Sequence, residues 1–323
     1  MVLVALQDHQ EPIAKQGKGR EVEVDGRTLA LTNLDKVLWP KAGFTKGEAI
    51  DYYAQVADTI LPHLRNRPLT RVRFPNGTEA QRFYEKRAPK GTPDWVHTAA
   101  IEMGTAGVID FIVCDDKPTL IWLAQLAALE LHPSLSLADD PDTPTVLAFD
   151  LDPGAPATIV ECSQVGLRIR DLFGELGLES FAKNSGSKGL QVYVPLNTDT
   201  DYEHTKTFAR ALAQALERAE PDRVVSKQKK ELRKGKVLVD WSQNDRAKTT
   251  VAVYSLRCRD RPWVSTPLTW QEVEKLADDG DPDSVRFEAP QVLKRIKKHG
   301  DLFAGVLELE QELPEVPERV SSA

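Results

Sequence analysis

The feature that most constrains this chain is an apolar strand that ends on two acids. Residues 145–153 read Thr-Val-Leu-Ala-Phe-Asp-Leu-Asp-Pro, and the side-chain period of two along a strand turns Asp150 and Asp152 to one face. Carboxylates so placed repel each other unless a cation lies between them. Hard divalent ions such as Mg2+ and Mn2+ take oxygen ligands of this kind, and phosphoryl-transfer sites often hold two of them about 3.5–4 Å apart. A third carboxylate from another strand is then expected. Val237-Leu-Val-Asp240 is a second apolar run ending on an acid, so Asp240 is the candidate. A lone D-x-D is more often a polar strand exit, and spacing alone leaves both readings open.

Around this strand, short β-like runs alternate irregularly with helical ones. A hairpin is predicted over 21–33 about Asp25-Gly26, and Thr45 with Glu48 forms a capping-box pattern that opens a helix ended by Pro62. Strands follow near 69–74, 95–101 and 108–113. A second helix is expected after Asp116, with Pro118 in its first turn, running to His132-Pro133, where His132 would cap carbonyls. Beyond the acidic strand come a helix over 158–176, strands near 180–183 and 190–194, and a helix over 202–219. Strands over 237–241 and 250–256 and helices over 270–277 and 290–298 complete the pattern. Without strict βαβ alternation the fold class is α+β with a mostly antiparallel sheet flanked by helices. A single domain is expected over 21–305, between a flexible lead-in over 1–20 and an acidic, weakly structured tail over 306–323.

Charge and cysteines narrow the setting. Forty-two Lys+Arg against 49 Asp+Glu give a net charge of -7, so contact with nucleic acid must come from local basic patches. Cys114, Cys162 and Cys258 are odd in number and widely spaced, which argues against a disulfide framework or structural zinc and fits a reducing cytoplasm. Gln7 to Glu11 interrupt any signal-peptide core. The most apolar window, 120–131, is short and holds Gln125 and Glu130, so no membrane span is expected.

Four local patterns add chemistry. Lys227, Lys229, Lys230, Arg233, Lys234 and Lys236 make a basic run with Glu231 as its sole acid, either a solvated loop or a backbone-binding patch, and its place just before Asp240 favours the second. Ser185-Gly-Ser-Lys-Gly189, between two strands, would offer backbone N–H groups, a hydroxyl and an ammonium to a phosphate, although it is not a Walker A sequence and such loops are often plain turns. Arg257 and Arg259 share one strand face and suit a polyphosphate, though solvated arginines are commoner. Phe83-Tyr84 beside Arg82, Lys86 and Arg87 has the make-up of a base-stacking surface, or of half-buried strand residues.

Together these segments resemble the polymerase domain of bacterial DNA ligase D and its stand-alone relatives in the archaeo-eukaryotic primase superfamily. The match runs from about Leu31 to at least Arg261. It is carried by Leu31-Thr-Asn-Leu-Asp-Lys-Val-Leu-Trp-Pro40, Arg71-Val-Arg-Phe-Pro-Asn-Gly77, Phe83-Tyr-Glu-Lys86, Trp122 through Glu130-Leu-His132, Phe149-Asp-Leu-Asp-Pro-Gly154, Ser185 to Gly189, Val239-Asp240 and Tyr254-Ser-Leu-Arg257. The resemblance implies template-directed addition of nucleoside monophosphates to a primer 3′-OH, with two divalent ions, Mn2+ or Mg2+, held by Asp150, Asp152 and Asp240. It implies a triphosphate (NTP or dNTP) met by Ser185, Lys188, Arg257 and Arg259, His132 near the incoming nucleotide, Phe83 against the nascent base pair, and Lys86 and Arg71 or Arg73 nearby. Lys36 and Lys46 match the lysines that grip a downstream 5′-phosphate at a gap or break. The family acts in non-homologous end joining and often prefers ribonucleotides.

Two departures and several alternatives accompany the resemblance. Six residues after Ser185 the family usually has a histidine that approaches the triphosphate, where this chain has Gln191, an amide that donates but carries no charge. Asn244 follows Gln243 where members often have arginine. Both changes would lower positive charge near the phosphates. No ligase-type K-x-D-G motif is found, so a separate DNA ligase and end-binding repair proteins are expected partners, with no membrane. The competing readings are an excision-repair gap-filling polymerase or a primase, a DNA-end-binding protein with a weakened site, and a metal-dependent nuclease.

Overall fold

The computed structural model describes residues 19–315. The described chain divides into two compact units. The first runs to Pro133 and takes in Tyr254–Val264 and Glu288–Gly300; the second comprises Ser134–Val253, Ser265–Phe287 and the chain from Asp301. The expected lead-in lies outside the described residues but for its last two positions, as does the expected tail beyond residue 315.

The first unit contains, in order, β1 (Arg20–Val24), β2 (Arg27–Leu31), β3 (Val37–Trp39), β4 (Phe44–Thr45), α1 (Lys46–Leu64), β5 (Pro68–Arg73) and β6 (Phe83–Glu85). It continues with β7 (Thr98–Glu102), β8 (Val108–Val113), α2 (Lys117–Gln125) and β9 (Ala128–Pro133). The β1–β2 hairpin closes through Asp25 and Gly26, at φ 47° and 76°, the pair of positive φ values a two-residue turn needs. Helix α1 opens as expected, Thr45 and Glu48 each capping the other's backbone N–H. It runs past Pro62 to Leu64, because a proline in the last turn removes only its own N–H while Arg65 N–H still reaches the Leu61 carbonyl at 2.8 Å.

Two sequence expectations fail, the first wholly in this unit. Helix α2 ends at Gln125, Ala127 takes φ 56°, and residues 128–133 form a strand paired antiparallel with β5, Thr70 opposite His132 and Val72 opposite Glu130. His132 therefore caps no helix. A short apolar run is compatible with either element, and the partner strand decides. The strand expected over 250–256 is also absent, since Tyr254 takes φ 64°.

The second unit is built on β10 (Val146–Pro153), α3 (Ile159–Glu175), β11 (Phe181–Asn184), β12 (Leu190–Pro195), α4 (Tyr202–Ala219), β13 (Val224–Val225) and β14 (Val237–Asp240). After it, β15 (Leu256–Cys258) and β16 (Pro262–Val264) return to the first unit, β17 (Pro267–Leu268) and α5 (Trp270–Asp279) to the second, α6 (Ala289–His299) to the first and α7 (Gly305–Glu308) to the second. A six-stranded sheet has the order β13-β14-β10-β12-β11-β17, antiparallel except for the β13–β14 pair. Leu147, Phe149 and Leu151 share a core with Cys162, Val165, Ile169 and Phe173 of α3 and Phe208, Ala209 and Ala213 of α4. Each fully buried Leu or Phe there is worth roughly 1.5–3 kcal/mol, and that burial sends Ala148, Asp150 and Asp152 to the opposite sheet face. The chain after Glu308 is better anchored than expected: Gln311 N–H donates to Leu196 O at 2.8 Å, and its amide to Pro195 O at 2.8 Å. No helix among the described residues is long and apolar enough to cross a membrane.

Asn244, expected as a lost charge, has a structural task. It is fully buried, accepts from Ala148 N–H at 2.8 Å and donates to Ala148 O at 2.7 Å, continuing the β10 ladder where β14 has ended. Asn244→Ala leaves two buried backbone groups unpaired and should destabilise the protein by roughly 2–4 kcal/mol, measured by denaturant unfolding.

Candidate active site

In the second unit, the polar face of the sheet carries a single row of side chains. Asp150 lies directly opposite Asp240 on β14 and opposite Gln191 on β12, and Gln191 lies opposite Lys183 on β11. Cβ atoms in such cross-strand pairs are about 4.5–5.5 Å apart. Asp152, two residues on, shares the face. The Gln191 amide donates to Asp150 Oδ1 at 3.0 Å and accepts from Lys183 Nζ. Asp240 is buried; its Oδ1 accepts from Ser242 N–H at 3.0 Å and Ser242 Oγ at 2.6 Å, and its Oδ2 from Gln243 Nε2 at 2.8 Å. Burial first, then the charges of Asp152 and Asp240, push the Asp150 carboxyl up to about 7, against the Gln191 hydrogen bond and the charge of Lys183. Among the described residues no three His, Cys, Asp or Glu side chains close around one point as a metal site does. Both oxygens of Asp240 are turned to Ser242 and Gln243.

The loop after β11 fits its neighbours tightly. Ser185 Oγ accepts from Ser187 and Gly189 N–H at 3.3 and 3.2 Å, and Asn184 Oδ1 from Gly186 N–H at 2.8 Å, so three of the N–H groups expected to face a phosphate are engaged within the loop. A Cβ on Gly189 would stand 2.4 Å from Leu151 O, which explains the glycine by strand contact. Lys188 is exposed, and its Nζ donates to Pro153 O at 3.0 Å, placing an ammonium over the end of the strand that carries both aspartates. A Cβ on Gly154 would lie 1.8 Å from Arg233 O. That contact, with Gly154 N–H donating to Lys236 O at 2.8 Å, ties the basic segment to the same strand end. Lys227, Lys229, Lys230 and Lys234 are exposed and Arg233 is half-buried, its guanidinium on Gln228.

In the first unit, the strand period acts again on β9. Glu130 and His132 share a face, and Glu130, 3% exposed, gathers four groups: Cys258 N–H at 2.8 Å, His132 Nε2 at 3.3 Å, and Arg257 and Arg259 each at 3.7 Å. Burial alone would raise this carboxyl, but the His132 hydrogen bond, the charges of Arg257 and His132 and the Cys258 N–H hold it down at about 2. Arg257 and Arg259, expected on one strand face, both approach Glu130, although only Arg257 lies within a strand. Glu130 was legible only as part of a motif, because reading 117–133 as one helix concealed its alternation with His132.

Elsewhere in that unit Arg71 and Arg73 both bind Glu85, at 3.1 and 3.0 Å, which occupies two of the candidate cations. Phe83 and Tyr84 are 40% and 64% exposed, a presentation that half-buried strand residues do not have, with Arg82 lying 5.4 Å from the Tyr84 ring centroid. Lys86 beside them is half-buried. Lys36 and Lys46 adjoin: Lys46 N–H donates to Lys36 O at 2.8 Å, Lys36 Nζ reaches Pro75 O at 2.6 Å, and Lys46 Nζ reaches Thr32 O at 2.9 Å. Lys46 is the first residue of α1, where the helix dipole is positive. Burial and then the charge of Lys36 lower the Lys46 ammonium to about 8.

Comparison with known proteins matches residues 45–303 to the family described as "LigD, primase-polymerase domain". The chain is similar to the multifunctional non-homologous end joining protein LigD of Mycolicibacterium smegmatis, 41% identical over 278 residues that make up 85% of this chain and 36% of that protein. It is 32% identical over 276 residues to the bifunctional non-homologous end joining protein LigD of Bacillus subtilis, covering 85% of this chain and 43% of that protein. The chain therefore spans less than half the length of either relative. The solved polymerase domain from Mycobacterium tuberculosis ligase D in complex with DNA superposes with a TM-score of 0.81 at 39% identity, over 88% of this chain and 99% of that one. Its fold is the α+β type expected from the sequence.

The Glu130 cluster makes a direct prediction. Glu130→Gln leaves two guanidiniums beside a neutral amide and should destabilise the protein by roughly 3 kcal/mol at pH 7. A depressed carboxyl stabilises the fold above its unfolded value near 4.5 and loses that contribution as pH falls through about 2. The gap between wild type and variant should thus narrow on acidification, as read by denaturant unfolding at pH 7 and pH 3.

Proposed function

Because the chain belongs to the LigD primase-polymerase family, we propose that it transfers nucleoside monophosphates to a primer 3′-OH under template direction, filling short gaps and extending ends in the repair of DNA breaks by non-homologous end joining. The observation that carries this reading is the row Asp240–Asp150–Gln191 with Asp152 on the same face. Three carboxylates on one sheet face, with Asp150 raised to about 7 by burial first and by the charges of Asp152 and Asp240 after it, are the donor set a pair of hard cations satisfies. Asp150, Asp152 and Asp240 would hold them once Asp240 exchanges its contacts with Ser242 and Gln243. Such ions, when bound, acidify the attacking hydroxyl and neutralise the charge that develops on the phosphoryl group and the leaving pyrophosphate.

The other residues divide by chemistry. In the second unit, Ser185 and Lys188 offer a hydroxyl and an ammonium to a triphosphate, and Lys227, Lys229, Lys230, Arg233 and Lys234 offer a DNA-backbone surface whose affinity depends on salt. In the first, Arg257 and Arg259 supply fork-shaped donors for phosphate oxygens, with Glu130 holding them and His132 in place. Exposed Phe83 and Tyr84 supply a stacking platform. Lys36 and Lys46, two ammoniums at a helix N-terminus, suit a terminal 5′-phosphate. Mn2+ use, a preference for ribonucleotides, and cooperation with a DNA ligase activity and end-binding proteins belong to the same proposal.

The test is primer extension on a gapped duplex with a downstream 5′-phosphate, Mn2+, and rNTPs or dNTPs in turn. Wild type should extend, and Asp150→Ala should lose at least roughly 10²-fold in rate. Absence of extension, with 5′-phosphate-dependent binding intact, would leave an end-binding protein. A second outcome concerns pH: the gain in DNA affinity from a 5′-phosphate should shrink as pH rises past about 8, where Lys46 loses its charge, and should vanish in Lys36→Ala/Lys46→Ala. Fluorescence anisotropy with phosphorylated and unphosphorylated duplexes measures both.

A further inference from the structure

Gln191 does not face outward as a phosphate contact would. It is buried, and both ends of its amide are engaged. We infer that Lys183 is a positioning residue for the carboxylate site: it sets the orientation of Gln191 and, through that amide, the orientation of Asp150. The inference rests on the metal-dependent reading above and deepens it.

An ammonium can only donate, so the amide oxygen of Gln191 must face Lys183, and its NH2 is left for Asp150 Oδ1. Without Lys183 only a long contact from the Tyr193 hydroxyl, at 3.4 Å, is left on that side to hold the amide oxygen, and the flipped orientation sets an oxygen against a carboxylate. Lys183 itself is tightly held. It is 1% exposed, donates to Val251 O at 3.0 Å and Ser265 Oγ at 2.9 Å, and lies 5.3 Å from the Tyr193 ring centroid. Ser265 Oγ in turn donates to Asn184 O at 3.0 Å, which fastens the arrangement to the backbone of β11. At the far end of the row Asp240 is oriented independently by Ser242 and Gln243, so Asp150 is the member whose setting depends on Lys183. The positive charge that Gln191 cannot carry thus stands one strand further away, reaching the carboxylates through a fixed amide. Groups that orient metal ligands in this manner typically change metal affinity 10–100-fold when removed.

Mn2+ binding, followed by the loss of the free-ion EPR signal on titration, tests this apart from turnover. The proteins are wild type, Asp150→Ala, Lys183→Met, Gln191→Leu and the Lys183→Met/Gln191→Leu double variant, each with its unfolding midpoint recorded. Lys183→Met and Gln191→Leu should each weaken Mn2+ binding about 10-fold or more, and the double variant should be no weaker than the worse single one, because both break the same relay. Wild-type affinity in a folded Lys183→Met, or additive losses in the double variant, would overturn the inference. If Lys183→Met does not fold, an unchanged affinity in Gln191→Leu overturns it equally. Failure of the wild type itself to bind Mn2+ would instead sink the metal-dependent reading, and the inference with it.

Discussion

The arrangement of the second unit depends on the register of one antiparallel pair of contacts: Asp150 against Asp240 on one side and against Gln191 on the other. A slip of one residue in either pairing would turn every side chain to the opposite face. What prevents the slip is the core. Leu147, Phe149 and Leu151 are buried with Phe173 and Phe208, ring centroids at 6.0 and 5.9 Å, so exchanging faces would bury Asp150 and Asp152 among apolar side chains. Hydrophobic burial on one face thereby holds an energetically unfavourable row of carboxylates on the other. The strain is that of a buried carboxylate first and of like charges beside it second.

The first unit meets the opposite problem, an excess of positive charge. Arg257 and Arg259 converge on a single buried carboxylate, Glu130, which also accepts the Cys258 N–H. One acid facing two guanidiniums and a histidine leaves a net positive cluster, the condition for attracting an anion without collapsing when none is bound. Lys36 with Lys46 repeats the theme at the start of α1. A protein of net charge -7 can thus meet a polyanion, since at physiological ionic strength the field beyond about 8 Å is screened and local clusters decide.

Glycine has a specific part in bringing charge to the acidic strand. At Gly154 and Gly189 the chain passes so close to the backbone of Arg233 and Leu151 that no side chain fits. These contacts hold the basic segment and the Ser185 loop against β10, so the D-x-D strand end has cations on both flanks. The division of labour is consistent with phosphoryl chemistry, in which acids gather metal and bases gather phosphate.

Much of this was legible in the chain itself. The Asp25-Gly26 hairpin, the capping box at Thr45 and the acidic strand over 146–153 follow from local rules, as does the ending of a second apolar run on Asp240. These are patterns of neighbouring residues, and their physics is complete within a few positions. The strand at 128–133 was not legible, because its apolar residues permit a helix until β5 supplies the pairing partner. Nor were the Glu130 cluster, the ladder task of Asn244, or the relay from Lys183 through Gln191 to Asp150. Each of these joins residues from different strands or loops, and which groups meet is set by register and packing over long sequence separations. Sequence alone determined the chemistry available to this protein, since residue type and period are local properties. Tertiary structure decided which donor faces which acceptor, since hydrogen-bond direction exists only between groups that folding has brought together.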